Sequence, residues 1–303
     1  MSGRPPFLVF FFLLSSSVPL AAAPVAAPSP ELGRHLTAIA ALAKPAPAVT
    51  VPAGHVLIGS KRVDDDPYGL WTQFDDTELP QQRVWLDAYE MDRDELSLGE
   101  YLAFLQARKQ SPSEELQKLI WHVITVHSVS DHILARWPAL YVTWYEARDF
   151  CLSKGKRLPT EAEWEKAARG PDGRLFPWGD AAPDSRLAMF GQHHVHEIPI
   201  LASVDSHEDG KSPYGLHHLA GNVAEWVQDW FGFDYYAYLP ERNPPGPPSG
   251  RYKSVRGGSW KSKPIMLRTA TRGGSPPDQR SPTIGFRCAK PLRPQDEPLH
   301  KTP

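Results

Sequence analysis

Glycine, tryptophan and arginine crowd into short clusters around Tyr214 to Cys288, reading SPYGLHHLAGNVAEWVQDWF, then RYKSVRGGSWKSKPIMLRTATR, then IGFRCAKP. Glycine reaches backbone conformations closed to other residues, and tryptophan brings a large apolar area in one side chain. Such clusters suit a fold built from turns packed on aromatics. The whole chain agrees: 32 prolines, 22 glycines and ten tryptophans in 303 residues leave little room for long regular elements. A chain of this length, 41% hydrophobic, supports one sizeable domain or two small ones. We expect an α+β, loop-rich single domain with short strands and a few helices.

Local signals place some elements. Val56-Leu57-Ile58-Gly59 reads as a strand, and Arg83 to Met91 as another. Ser97…Glu100, Thr143…Glu146 and Thr160…Glu163 each fit the capping box, in which hydroxyl and carboxylate satisfy one another's backbone amides at a helix start. The second helix puts Ala147, Phe150 and Cys151 on one face and stops near Gly155; the third carries Trp164, Ala167 and Ala168.

Residues 1–23 read as a signal peptide: Arg4, the apolar run Phe7–Leu14, and small residues at Ala21–Ala23. The run is shorter than the roughly 20 residues a membrane span needs, so no stable membrane anchor is expected. The expected destination is the periplasm, the exterior or the secretory lumen. Residues 24–49, rich in Ala and Pro, read as a flexible spacer with a helical piece around Glu31 to Ala43. The domain is expected over 50–292, and 293–303 as a flexible tail. The net charge of −2 without a basic stripe argues against nucleic acid as a partner. Cys151 and Cys288 are the only cysteines. In an oxidising compartment they tend to pair, closing a loop worth roughly 4–5 kcal/mol in the chain-entropy account; two buried free thiols are the alternative.

The clusters carry a family resemblance. Gly215, Gly221-Asn222, Glu225-Trp226, Arg256 to Trp260 and Gly285 to Cys288 resemble the signature of the formylglycine-generating enzymes, or sulfatase-modifying factors. Residues 144–179, WYEARDFCLSKGKRLPTEAEWEKAARGPDGRLFPWG, are similar to a second element of that family. The matches span about 51 to 291, and the fold they imply is related to C-type lectin-like domains. Residues 106–137, with Trp121, His122, His127, His132 and Trp137, match nothing and read as a variable insertion.

The resemblance also implies chemistry, and the sequence departs from it. Family enzymes hold copper with two redox cysteines just after the GGS element. Here Lys261-Ser262-Lys263-Pro264-Ile265-Met266-Leu267 stands there, with no cysteine before Arg272. Soft Cu(I) binds thiolate, so no copper is expected. The family tryptophan before the glutamate is Ala224. The family's structural Ca²⁺ would fall to carbonyl oxygens of Gly221 and Val223 and the carboxylate of Glu225, although His218 replaces the usual Asn or Asp. The alternative is a Glu225 held by backbone amides. Arg287 is expected to hydrogen-bond loop carbonyls. His193, His194, His196, His217 and His218 could meet at a transition metal, or simply sit in solvated loops. Ser259, Trp260, Arg268 and Arg272 are candidates for a ligand groove taking a peptide or small polar ligand.

These residues point to an exported binding or accessory factor, without copper-thiol chemistry, in maturation of another exported protein or metabolite. Competing readings are an enzyme of different chemistry on this fold, with Glu225, the histidines and Ser259 as candidates, genuine sulfatase-modifying activity, and a lectin-like ligand-binding module.

Overall fold

Helix α1 (Pro30–Ala41) opens the described chain, capped by Ser29, whose hydroxyl accepts the Leu32 amide. The computed structural model describes residues 28–61, 76–192, 199 and 201–292. The signal and tail readings, residues 1–23 and 293–303, lie outside them. Strands β1 (Ala48–Val51), β2 (Gly54–Ile58), β3 (Gln82–Leu86) and β4 (Tyr89–Asp92) follow, then helices α2 (Leu98–Ala107), α3 (Glu114–His127), α4 (Asp131–Ala135), α5 (Trp144–Ser153) and α6 (Glu161–Arg169). The last third carries β5 (Ala224–Trp230), β6 (Lys253–Arg256), β7 (Arg272–Ser275), β8 (Ile284–Gly285) and β9 (Ala289–Pro291). This is the α+β, loop-rich domain the sequence suggests. The strand expected over Arg83 to Met91 is two strands in separate sheets, broken at Asp87-Ala88.

β1, β4 and β9 form one antiparallel sheet, and β2 pairs with β3 in another. The third has the order β7-β6-β5-β8, with only the β5–β8 pair parallel. Strands so short bury little by themselves, so side chains between the sheets set the geometry. A disulfide joins Cys151 of α5 to Cys288 just before β9, 137 positions apart. The same covalent link thus spans the middle and the end of the domain.

The helical piece expected around Glu31 to Ala43 is α1, but it packs into the domain core instead of standing in a flexible spacer. Leu32, Leu36, Ile39 and Ala40 of α1 are buried in the main core with Leu98, Leu102 and Leu134 of α2 and α4. β1 begins at Ala48 and pairs with β4. The error has a physical cause: Ala and Pro set chain stiffness, but four apolar residues at helical spacing are enough to seat a helix. Residues 106–137 also join this core, through Leu116, Ile120 and Val123 of α3 and through Trp137. Ile39→Ala is therefore expected to cost about 2–5 kcal/mol in urea unfolding. A cost near zero would return α1 to the status of a spacer.

The capping boxes at Thr143 and Thr160 are complete. At Ser97 the hydroxyl accepts the Glu100 amide and donates to the Glu100 carboxylate instead. Helix α6 is unusual because every residue of it is buried, including Glu161, Glu163, Glu165, Lys166 and Arg169. Buried charges need partners, and each of these has one. Arg256 on β6 and Arg272 on β7 bind Glu161, Arg157 binds Glu163, and Arg256 also binds Glu165. The Lys166 ammonium donates to the carbonyls of Pro52 and Gly54, and Arg169 to the Thr269 hydroxyl and the Gly59 carbonyl.

Candidate functional site

The site region begins where β6 ends. Gly257 and Gly258 have φ of 91° and 69°, and a Cβ would lie 3.0 Å from the Trp164 ring at 257 and 2.9 Å from the Met266 carbonyl at 258. Both the conformation and the space require glycine there. The turn delivers Ser259 and buried Trp260 against Asn222. The Trp260 amide donates to the Asn222 carbonyl at 2.7 Å, and its indole donates to the Pro282 carbonyl at 2.9 Å. Asn222, itself in the left-handed region at φ 54°, donates from its side-chain amide to Glu95 and accepts the Ala202 amide. Gly221 sits so close to Met189 that a Cβ would come 2.4 Å from its carbonyl oxygen.

Beyond Trp260 the chain turns back at once. Ser262 accepts the Ser259 amide through its hydroxyl and the Gly191 amide through its carbonyl. Lys261, Lys263 and Met266 are exposed, and a 3₁₀ turn over Pro264–Leu267 buries Leu267 with Phe176, Ala188 and Ala220. The segment expected to hold redox cysteines in the related enzymes is thus a closed surface turn of hydroxyl, ammonium and aliphatic groups. Its two hydroxyls, Ser259 and Ser262, lie 3.5 Å apart. Among the described residues no imidazole or carboxylate bonds to either hydroxyl.

The arginines proposed for a ligand groove have another use. Arg268 is bidentate to Glu78 at 2.7 and 2.8 Å, and Arg272 is bidentate to Glu161 at 2.8 and 2.9 Å. Arg272 also donates to the carbonyls of Thr77 and Gly232 and stacks 4.0 Å from the centre of the Tyr236 ring. Both are buried, as are Ser259 and Trp260. The four residues do not line an open groove; the arginines tie the 76–78 turn and helix α6 to the 264–275 segment. A buried guanidinium needs charge and hydrogen-bond partners, and no local spacing indicates which carboxylates come near.

Calcium meets a similar obstacle. Side chains, not backbone amides, hold Glu225 among the described residues. Arg287 grips both its oxygens at 2.6 and 2.8 Å, and the Trp164 indole donates to one of them at 2.9 Å. As expected, Arg287 also donates to loop carbonyls, those of Asp92, Arg93 and His217. Val223 gives its amide to Glu95, and Gly221 gives its amide to Gly257. Calcium takes six or more hard oxygens. Here the one carboxylate already faces a fixed cation, and the expected oxygen donor at position 218 is an imidazole. Among the described residues no three His, Cys, Asp or Glu side chains converge on one point. These residues do not fit the implied calcium site. Copper fares no better, since the only two cysteines are bonded to each other.

His193, His194 and His196 lie outside the described residues. His217 and His218 are buried rather than solvated. His217 lies between Asp94 on Nδ1 at 2.7 Å and Glu208 on Nε2 at 3.0 Å. His218 meets the Ser203 carbonyl and the Ser206 hydroxyl with Nε2, and its Nδ1 has no partner among the described residues. Burial, helped by neighbouring His207, pushes His218 down to about 3, so its ring is neutral.

Two carboxyls that sequence reasoning passed over shape this region. Glu95 is buried beside Glu225, and desolvation raises its pKa well above the usual carboxylate range. Asp229 on β5 accepts the Glu161 amide at the start of α6; burial, then Glu161, pushes it up to about 8. The unfolded chain ionises Asp near pH 3.9. The Asp229 contribution is therefore full below that value and is lost as pH rises toward 8. Between about pH 4 and 8 it lowers stability by up to about 1.4 kcal/mol per pH unit. Asp229→Asn removes this slope; urea midpoints at pH 5 and 8 that move together in wild type and variant would refute the assignment.

Comparison with known proteins agrees with this architecture. The family model for a sulfatase-modifying factor enzyme 1-like domain matches residues 37–292. The serine/threonine-protein kinase pkn1 of Chlamydia pneumoniae is 38% identical over 223 residues, 70% of this chain but 34% of the kinase. The chain thus spans about a third of that relative. The formylglycine-generating enzyme of Bos taurus is 31% identical over 293 residues, covering 81% of this chain and 75% of the enzyme. Among solved structures, PvdO from Pseudomonas aeruginosa superposes with a TM-score of 0.58 at 22% identity, over 82% of this chain and 99% of PvdO. That last likeness is one of fold.

Proposed function

The chain belongs to the sulfatase-modifying factor enzyme family, and from that premise we propose that it uses the family scaffold without copper-thiol oxidation. In this reading it is an exported binding or accessory factor in maturation of another exported protein or metabolite. One observation carries the proposal. Where a reactive thiol pair would stand, Lys261 to Leu267 form a closed turn, and the two cysteines of the chain are joined elsewhere as Cys151–Cys288. A thiolate is both the ligand that soft copper requires and the nucleophile in such chemistry.

What remains at the surface is suited to contact. Lys261, Lys263 and Met266 project from a turn whose backbone is fixed by Asn222, Gly191 and Ser259. Rigid presentation of exposed groups lowers the ordering cost of binding a partner.

The test is direct. The purified protein, with copper and a sulfatase-type CxPxR peptide under air, is expected to form no aldehyde and consume no oxygen. Copper-dependent aldehyde formation on that peptide would overturn the proposal and return the chain to the oxidases.

A further inference from the structure

A cleft of about 400 Å³ opens to solvent between the end of α2 and the start of α5, sharing no lining residue with the 259–267 turn. Its apolar lining is Phe104 and Leu105, the last turn of α2. Phe104 is set by its edge-to-face contact with Phe150 of the core, at 5.1 Å between centroids. On the α2 side the cleft carries Arg108 and Lys109, where the chain turns through a left-handed residue, Lys109 at φ 56°. On the α5 side it carries Glu146 and Asp149, three residues apart and so on the same helix face.

The charges of opposite sign have not collapsed onto one another. Arg108 rests on the Phe104 ring, 5.2 Å from its centre, and among the described residues neither it nor Lys109 makes an ion pair. Glu146 pairs instead with Arg280, and Asp149 with Arg148 through Oδ1 alone. With both oxygens of Glu146 taken by Arg280 and the Thr143 cap, the cleft offers two cations on one side, Oδ2 of Asp149 on the other, and an aromatic and an aliphatic surface between. Its volume lies within the roughly 300–1,000 Å³ of small-molecule sites.

We propose that this cleft binds a free α-amino acid with an apolar side chain. The ligand carboxylate goes to Arg108 and Lys109, its ammonium to Oδ2 of Asp149, and its side chain onto Phe104 and Leu105. A simple anion would leave Oδ2 of Asp149 without a donor and a simple cation would leave Arg108 and Lys109 without an acceptor, whereas a zwitterion satisfies both. An internal peptide segment carries neither terminal charge.

Calorimetric titration of the whole protein with L-leucine, N-acetyl-leucine and leucinamide tests the assignment. Leucine is expected to bind with Kd of about 1 mM or tighter, and each blocked derivative about tenfold more weakly. Arg108→Ala with Lys109→Ala should weaken leucine about tenfold with Tm unchanged, since both side chains are exposed. Asp149→Asn should weaken leucine and leucinamide but not N-acetyl-leucine. Absence of binding at about ten times that concentration, or affinity indifferent to both blocking groups, overturns the proposal. The oxidase assay does not depend on this cleft, so the two readings fail independently.

Discussion

Arg287→Met is expected to lower stability by about 3–5 kcal/mol. The guanidinium is fully enclosed and serves Glu225 and three loop carbonyls at once. Its loss leaves a buried carboxylate facing a second one, Glu95, in a medium that screens poorly. Tm should fall by about 10 °C. Glu225→Met in the same chain should recover part of that loss, because it removes the stranded charge along with its partner. If Arg287→Met costs less than about 1 kcal/mol in urea, the pair is not what holds the turn at Asn222.

The second large effect is covalent. Replacing Cys151 and Cys288 with alanine opens a loop of 137 positions, which the chain-entropy account values at about 5 kcal/mol. The urea midpoint should move down by about 1–2 M for a chain of this size. Both sulfurs are buried beside Phe150 and Phe286, so mild reductant should act on the folded protein only as fast as it opens. A midpoint unchanged in the double variant would show that the bond adds nothing to the unfolding balance. Rapid reduction of the native protein would show that this part of the core opens readily.

Much of the architecture was legible from local chemistry. The Thr143 and Thr160 boxes form as the Thr…Glu spacing indicates, because capping depends on residues three apart. The inward face of α5 follows from apolar spacing, whereas the all-round burial of α6 does not. The glycines at 221, 257 and 258 stand where a Cβ would collide or φ is positive. The candidate site was less legible because its decisive contacts are long-range. Glu78 and Arg268 lie 190 positions apart, and Glu225 and Arg287 lie 62 apart. Nothing in the spacing of an arginine tells whether it will face a ligand or a buried carboxylate. Glu95 and Asp229 carried no signal for the same reason. The ligand roles of Arg268, Arg272 and Glu225 were borrowed from a family pattern, and pairing inside this chain consumed those side chains.

The wholly buried helix α6 has a consequence for how variation is tolerated here. Its charges fix neighbouring segments through directional bonds with definite donors and acceptors, whereas an oily contact accepts many registers. Surface turns hung from such a keyed interior can exchange their side chains without loosening the frame. In that sense the exposed positions Lys261, Lys263 and Met266 are interchangeable fittings between the buried anchors Trp260 and Leu267, and the identity of the fold places little restraint on what they carry.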